Sequence, residues 1–249
     1  MAAAAERMGD SSGWGDFMID LKEISSECPL LNDKLCQDIG GIIKKLQKPV
    51  TIKAVLDTEQ DKSMEMASFL KRFCEIPAGA SVNLELYSIK ELSEGPEAET
   101  LAAGLKLNTQ YLPVTGLYAD GEFSGVSFHG IPGGKEINAF ILAVYNLAGP
   151  GQELSDGTKR KIQKLKRPVN VKICVSLGCH HCSGLVTACQ RIAMLNPLIE
   201  AEMIDANLYP DLVEKYQIKR VPFMIVNDRD TFTGPRSIED LVVLFKNSR

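Results

Sequence analysis

Lys164-Leu165-Lys166-Arg167-Pro168-Val169 echoes Lys45-Leu46-Gln47-Lys48-Pro49-Val50, which stands 119 residues earlier in the chain. In both copies a basic helix end passes through a proline into an apolar strand, and similarity at a fixed offset marks a duplicated structural unit. Working outward from the first copy, Leu31, Leu35, Ile39, Ile42, Ile43 and Leu46 recur at helical spacing ahead of a strand over 50–56. A helix near 62–75 and an alternating strand over 81–87 follow. Leu112-Pro113-Val114 opens another strand, which turns at Asp120-Gly121 into Glu122-Phe123, and a helix over about 135–147 closes the unit. The second copy repeats the order with strand 169–176, a helix from about 180 to 195, strand 198–205 and a helix near 208–217. It then enters a strand at Val221-Pro222-Phe223 and ends in a helix from Ile238.

A βαβ unit followed by αββα is the order of the thioredoxin fold, so the expected class is α/β with two tandem thioredoxin-like domains. Gly149-Pro150-Gly151 and Ser155-Asp156-Gly157 supply turn chemistry between the copies and set the boundary near 150, giving domains over 30–150 and 151–249. The linker is short, so the two units are expected to share an interface. Residues 1–29 fall outside both copies, and Gly9-Asp10-Ser11-Ser12-Gly13 reads as part of a flexible N-terminal extension.

Composition narrows the function classes. With 45% apolar and 24% charged residues, 249 residues suffice for two modest globular cores. A net charge of −4 and the lack of a Lys/Arg-rich block argue against nucleic acid as a partner. No apolar run reaches the roughly 18 to 20 residues that span a bilayer, and Ala2-Ala3-Ala4-Ala5 lacks the features of a signal peptide. The expectation is a cytoplasmic protein that makes no membrane contact. Seven cysteines, scattered singly apart from one close pair, do not form the framework of a secreted disulfide scaffold.

The close pair is Cys179-His180-His181-Cys182, placed directly after the strand and Gly178. A cysteine at a helix start meets unpaired N–H groups and the positive end of the helix dipole, which lower a thiol pKa from about 8.5 into the range of roughly 3.5 to 7.5. Cys179 is therefore the expected nucleophile, and Cys182, one turn on and deeper, the resolving thiol. Two thiols and two imidazoles within four consecutive residues cannot converge tetrahedrally on one zinc, and His129 lies far away in sequence. A metal-binding or redox-regulated interaction module without turnover is the alternative. Its iron-sulfur version draws on the spacing Cys174, Cys179, Cys182 with Cys189, but Cys174 lies within a strand and Cys189 on an apolar helix stripe. His180 and His181 are either solvated side chains or cations that stabilise the Cys179 thiolate. Cys28 and Cys36 could pair or act as relay thiols, or be ordinary residues at a terminus and on a helix; Cys74 reads as core. Val221-Pro222 stands where a thioredoxin fold has a cis proline facing the disulfide, with strand initiation as the plainer reading and Pro113 as its counterpart.

Cys179-His180-His181-Cys182, Ala193-Met194-Leu195-Asn196-Pro197, Val221-Pro222 and Phe128-His129-Gly130-Ile131-Pro132-Gly133-Gly134-Lys135-Glu136 together resemble the N-terminal domain of the alkyl hydroperoxide reductase flavoprotein, over roughly residues 30–249. Archaeal protein disulfide oxidoreductases look similar in overall plan. The resemblance implies a thiol-disulfide oxidoreductase that relays electrons from a flavin-bound dithiol to a peroxiredoxin or other disulfide. It also implies an acid/base role for Glu136. Positions Gln60 and Ser63 match Cys179 and Cys182 at the same offset of 119, so the first copy lacks a dithiol. Single-domain thioredoxins carry a buried Asp six residues before the first cysteine, where this chain has Ile173, which leaves the proton acceptor to come from elsewhere. Glu136 from the other copy is one source; the other reading makes it an exposed helix-start glutamate favoured by the dipole. No strand-Gly-x-Gly-x-x-Gly-helix unit occurs, so no cofactor is expected to bind this chain. FAD and NAD(P)H then enter through a thioredoxin-reductase-like partner or a missing domain.

Overall fold

Runs of β-branched residues broken by proline and glycine give short strands, and amphipathic stretches between them give the covering helices. The computed structural model describes residues 17–76 and 82–248. The first half contains α1 (Asp33–Ile43), β1 (Val50–Leu56), α2 (Asp61–Cys74), β2 (Val82–Ser88) and α3 (Pro96–Leu105). It continues through β3 (Val114–Ala119) and β4 (Glu122–His129) to α4 (Ile137–Ala148). The second half contains α5 (Asp156–Gln163), β5 (Val169–Val175), α6 (Cys182–Ala193) and β6 (Ile199–Asp205). α7 (Pro210–Lys215), β7 (Phe223–Val226), β8 (Asp230–Thr233) and α8 (Ile238–Asn247) complete it. This is the expected mixed α/β architecture with thioredoxin-like order in each half. No helix among the described residues is long and apolar enough to cross a membrane.

All eight strands lie in one sheet, ordered β2-β1-β3-β4-β6-β5-β7-β8. Each half contributes four neighbouring strands with the same pattern: a parallel pair, β1 with β2 and β5 with β6, followed by two antiparallel steps. The halves join where Val126–His129 of β4 run parallel to Ala201–Ile204 of β6. Joining two sheets edge to edge removes two unpaired strand edges, each of which exposes a row of backbone donors and acceptors. The expectation of two coupled units is thus met by a shared sheet. Arg191 of α6 reaches across to the carbonyls of Asn146, at 3.3 Å, and Gln152, at 2.9 Å, and so holds the connection between the halves.

Two details depart from the sequence reading, and one element has no counterpart in it. Residues 17–29 are not a loose extension: the Ile19 N–H donates to Leu86 O, Lys71 Nζ donates to Ile24 O, and Ile24 is buried. The free edge of β2 and the apolar face of α2 give this segment partners that its own composition does not reveal. The runs 2–5 and 9–13, and Ser81, lie outside the described residues. Ser155-Asp156-Gly157, expected as a turn, opens α5, because Ser155 Oγ accepts the Thr158 N–H at 3.1 Å and caps the helix. α3, which the sequence reading leaves unassigned, starts with a proline at its first positions, where a missing N–H costs nothing.

The main core lies on one face of the sheet, under α1, α2, α4, α6 and α8. At its centre Phe140 of α4 meets Phe69, Phe73 and Phe128 with ring centroids 5.7, 5.0 and 5.1 Å apart. Phe140 is fully buried, and aromatic edge contacts add to its burial energy. Phe140→Ala is expected to cost about 3 to 5 kcal/mol, measured by urea unfolding against wild type.

Candidate active site

The sheet register sets the site. Val175, the last residue of β5, pairs with Asp205, the last of β6, while Cys174 pairs with Phe223, the first of β7, and His129 at the end of β4 pairs with Ile204. The segments leaving these strands, 130–136, 176–181 and 206–209, therefore emerge at one end of the sheet, together with 219–222 leading into β7.

Cys179 and Cys182 are joined in a disulfide with Cα atoms 5.6 Å apart. The Cys179 N–H donates to Ser176 O at 2.9 Å, so the chain turns once before the helix. α6 begins at Cys182 with His181 as its N-cap, two residues later than the periodicity indicates, because this turn intervenes. Cys182 is fully buried, Cys179 half-buried, and His180 and His181 are exposed. Val221-Pro222 is a cis peptide, as is Leu112-Pro113 in the first half. The two prolines occupy matching surroundings: Pro222 O accepts the Gly234 N–H and Pro113 O accepts the Gly130 N–H, each at 3.0 Å. Gln60 and Ser63, the counterparts of the two cysteines, bond within their own loop, Gln60 Nε2 to Asp57 Oδ2 and the Asp57 N–H to Ser63 Oγ.

Glu136 is brought to this site by backbone geometry. The Lys135 N–H donates to Leu177 O at 2.9 Å, tying the first half's 134–136 turn to the loop that carries Cys179. Gly134 has φ +55°, and a Cβ there would lie 2.5 Å from Leu177 O, so only glycine permits the approach. The turn also packs on α6. Glu136 itself is fully buried, with no hydrogen-bond partner on either carboxylate oxygen, which overturns the exposed-glutamate reading. Burial, and then the nearby Asp205 carboxylate, push its pKa up from 4.5 to about 7. Sequence reasoning missed Asp205 and the Gly134–Leu177 approach; the glycines of 130–136 were the available signal.

The other cysteines lie apart from this pair. Cys174 belongs to an apolar cluster with Tyr111, Ile204, Leu212, Phe223 and Ile225, whereas Cys182 and Cys189 belong to the main core on the opposite side of the sheet. Alternate residues of a strand face opposite sides, so Cys174 cannot join them around one cluster of metal ions. Burial pushes the Cys174 thiol up to about 12 and Cys189 further, and burial together with Glu75 pushes Cys74 up to about 12. Among the described residues no group of three or more His, Cys, Asp or Glu side chains is placed to hold a metal ion. Cys28 and Cys36 are unbonded, the first half-buried against the main core and the second buried with its Sγ on Leu31 O.

A family profile described as thioredoxin domain matches residues 169–244. Among solved structures, the chain is 33% identical to the NTD_N/C domain of the alkylhydroperoxide reductase AhpF from Enterococcus faecalis, with a TM-score of 0.75 over 86% of this chain and 99% of that one. A protein disulfide oxidoreductase from Aeropyrum pernix shares the fold at 22% identity, with a TM-score of 0.74 over 87% of this chain and 92% of that one. The corresponding alkyl hydroperoxide reductase protein, AhpF, of Staphylococcus epidermidis is 24% identical over 213 residues, which are 86% of this chain and 37% of that protein. The chain spans between 24% and 37% of the length of the curated relatives it matches.

Two outcomes follow from the burial pattern. After mild reduction, iodoacetamide at neutral pH is expected to label Cys179 ahead of Cys182, Cys174 and Cys189, read by peptide mass mapping. For Glu136, a folded pKa near 7 against 4.5 unfolded means that the folded state holds the extra proton between those values, so stability falls as pH rises through them. Glu136→Gln removes that term: in urea unfolding, its stability relative to wild type should rise between pH 5 and pH 8.

Proposed function

The chain belongs to the family of the N-terminal domain of the alkyl hydroperoxide reductase AhpF, and from that premise we propose that Cys179 and Cys182 relay electrons from a flavin-dependent, thioredoxin-reductase-like donor to a peroxiredoxin or another disulfide protein. Its chemistry is thiol-disulfide oxidoreduction on a thioredoxin-like fold. The observation that carries the assignment of roles is the asymmetry of the pair, one sulfur at the surface and its partner fully buried three residues on.

In the reduced protein the Cys179 thiolate attacks a sulfur of the acceptor disulfide. That bond breaks, and the first acceptor sulfur leaves with the bonding pair and takes up a proton. Cys182 then gives up its proton and attacks Cys179 Sγ, expelling the second acceptor thiol and closing the internal disulfide. Two electrons and two protons have passed to the acceptor, and the donor's dithiol restores the pair by the reverse exchange. Glu136 is assigned the Cys182 proton in this reading, since a buried carboxyl with a pKa near 7 is matched to proton transfer at neutral pH. In this reading His180, His181, Val221 and Pro222 are the pair's active-site neighbours, and a thiol set in which five further cysteines stay unpaired suits the cytoplasm. The chain's own side chains supply no flavin or nicotinamide chemistry in this scheme; FAD and NAD(P)H act through the donor.

With NADPH, a flavin-dependent thioredoxin reductase and a disulfide substrate, the wild-type chain should sustain NADPH consumption. Cys179→Ser is expected to fall to background, and Cys182→Ser to accumulate a mixed disulfide visible by intact mass. Glu136→Gln should slow turnover by about a hundredfold or more and flatten its pH dependence near 7. Stoichiometric metal binding without turnover would instead support the interaction module, and a Glu136→Gln rate equal to wild type at every pH would remove Glu136 from the mechanism.

A further inference from the structure

The charged side chains of the segments next to the disulfide are sorted by sign. The segments 130–136, 176–182 and 219–222, with Asp205 at the end of β6, carry two carboxylates, Glu136 and Asp205, and both are buried. The exposed ionisable groups of the same segments are Lys135, His180, His181, Lys219 and Arg220. Among the described residues none of these five makes an ion pair or a side-chain hydrogen bond. The whole chain carries a net charge of −4, so the mouth of the disulfide opposes the sign of the molecule around it. Exposed carboxylates flank these segments on both sides: Glu27, Asp61 and Glu65 of the first half line a cavity with Leu30, Met64 and Ile131, and in the second half Asp211 follows segment 206–209 while Glu239 and Asp240 open α8, shortly after the Gly234 N–H that donates to Pro222 O. That cavity adjoins Gly133, whose Cβ would lie 3.4 Å from Leu30.

We propose that Lys135, Lys219 and Arg220, with the two imidazoles, form a docking rim for an acidic protein segment flanking the partner's redox cysteines, laid across the dithiol between the two acidic flanks. The proposal rests on disulfide exchange at Cys179 and adds the class of partner surface that is recognised. Uncompensated cations around a reactive centre raise the local concentration of anionic partners and speed encounter, by about 10-fold to 1,000-fold at low ionic strength. The effect decays with salt, since the screening length falls from about 10 Å at 0.1 M to about 3 Å at 1 M. Lys219 and Arg220 immediately precede the cis Val221-Pro222 peptide, and Lys135 follows the glycine that contacts the Cys179 loop, so the rim is fixed to the same backbone as the dithiol.

The test uses the full reduced chain and three disulfide peptides of equal length whose cysteines are flanked by Glu, Gln or Lys. Second-order reduction rates at low salt should rank Glu above Gln above Lys, with the Glu peptide about tenfold faster than the Gln peptide and the gap closing in about 0.5 M NaCl. Lys219→Glu with Arg220→Glu should reverse the ranking. Lys164→Glu with Lys166→Glu makes the same change in net charge at the opposite end of the sheet and should leave the ranking intact. Because each ratio is taken within one protein, a general loss of reactivity cancels, and the salt series on wild type stands even where a variant folds poorly. Equal rates for the three peptides, or an equal response to the distant pair, would overturn the docking rim while leaving the relay in place. No exchange with any peptide would overturn both.

Discussion

The parallel pairing of β4 with β6 is the contact on which the rest of the molecule depends. Without it each half is a four-stranded sheet with an open inner edge; with it the two become one sheet in which β3 and β5, the strands flanking the seam, are almost wholly buried. The seam is reinforced by polar side chains that need one another. His129 at the end of β4 is fully buried, with Nδ1 2.7 Å from Tyr111 O and Nε2 2.8 Å from Glu202 of β6. Burial opposes ionisation of Glu202, but the hydrogen bond and charge of His129, together with Lys172 and Asn170, hold its carboxyl down to about 2. Lys172 of β5 is anchored in turn on Asp228 at 2.7 Å. Buried charges of this kind are costly to strand alone, so the set holds together only when the two halves stand in this register.

That register explains how a half with no dithiol of its own reaches the chemistry. β4 ends at His129, and the seven residues that follow travel along the end of the sheet to the loop before Cys179. Gly134 lets the two backbones touch, and Glu136 is delivered to a buried site with no hydrogen-bond donor for its oxygens. The same turn placed one residue earlier or later would put a lysine or an isoleucine there instead. The first half keeps the fold features that the second half uses, a cis proline before β3 and a buried residue in the second cysteine's place, but Ser63 spends its hydroxyl on the Asp57 backbone. It is a scaffold that contributes the buried Glu136 and a backbone contact with the Cys179 loop.

The chain's duplicated lysine-proline entry, its apolar strands and the Cys179/Cys182 spacing suffice to read the strand order within each half and the site of exchange. These are local signals: period-two and period-3.6 patterning, a cysteine pair after a strand, a proline before a strand. Caps are ambiguous where the same residues serve two ends, as with Ser155-Asp156-Gly157, since a serine that starts a helix and one that closes a turn look alike until the following N–H groups are placed. Residues 17–29 escape the sequence reading for a related reason, because a short segment with few apolar residues takes its order from the edge it lies against.

Only the tertiary structure decided which parts of the two halves meet. Sequence could nominate Glu136 through a resemblance but left its exposure open, and its burial beside the loop that carries Cys179 depends on a strand pairing between residues more than seventy positions apart. It could not place Cys174 and Cys189 in separate clusters or bury His129 against Glu202. Each of those facts is fixed by long-range register, because neighbours across a sheet are set by which strands pair and where, and nothing in the chemistry of a single segment specifies its partner.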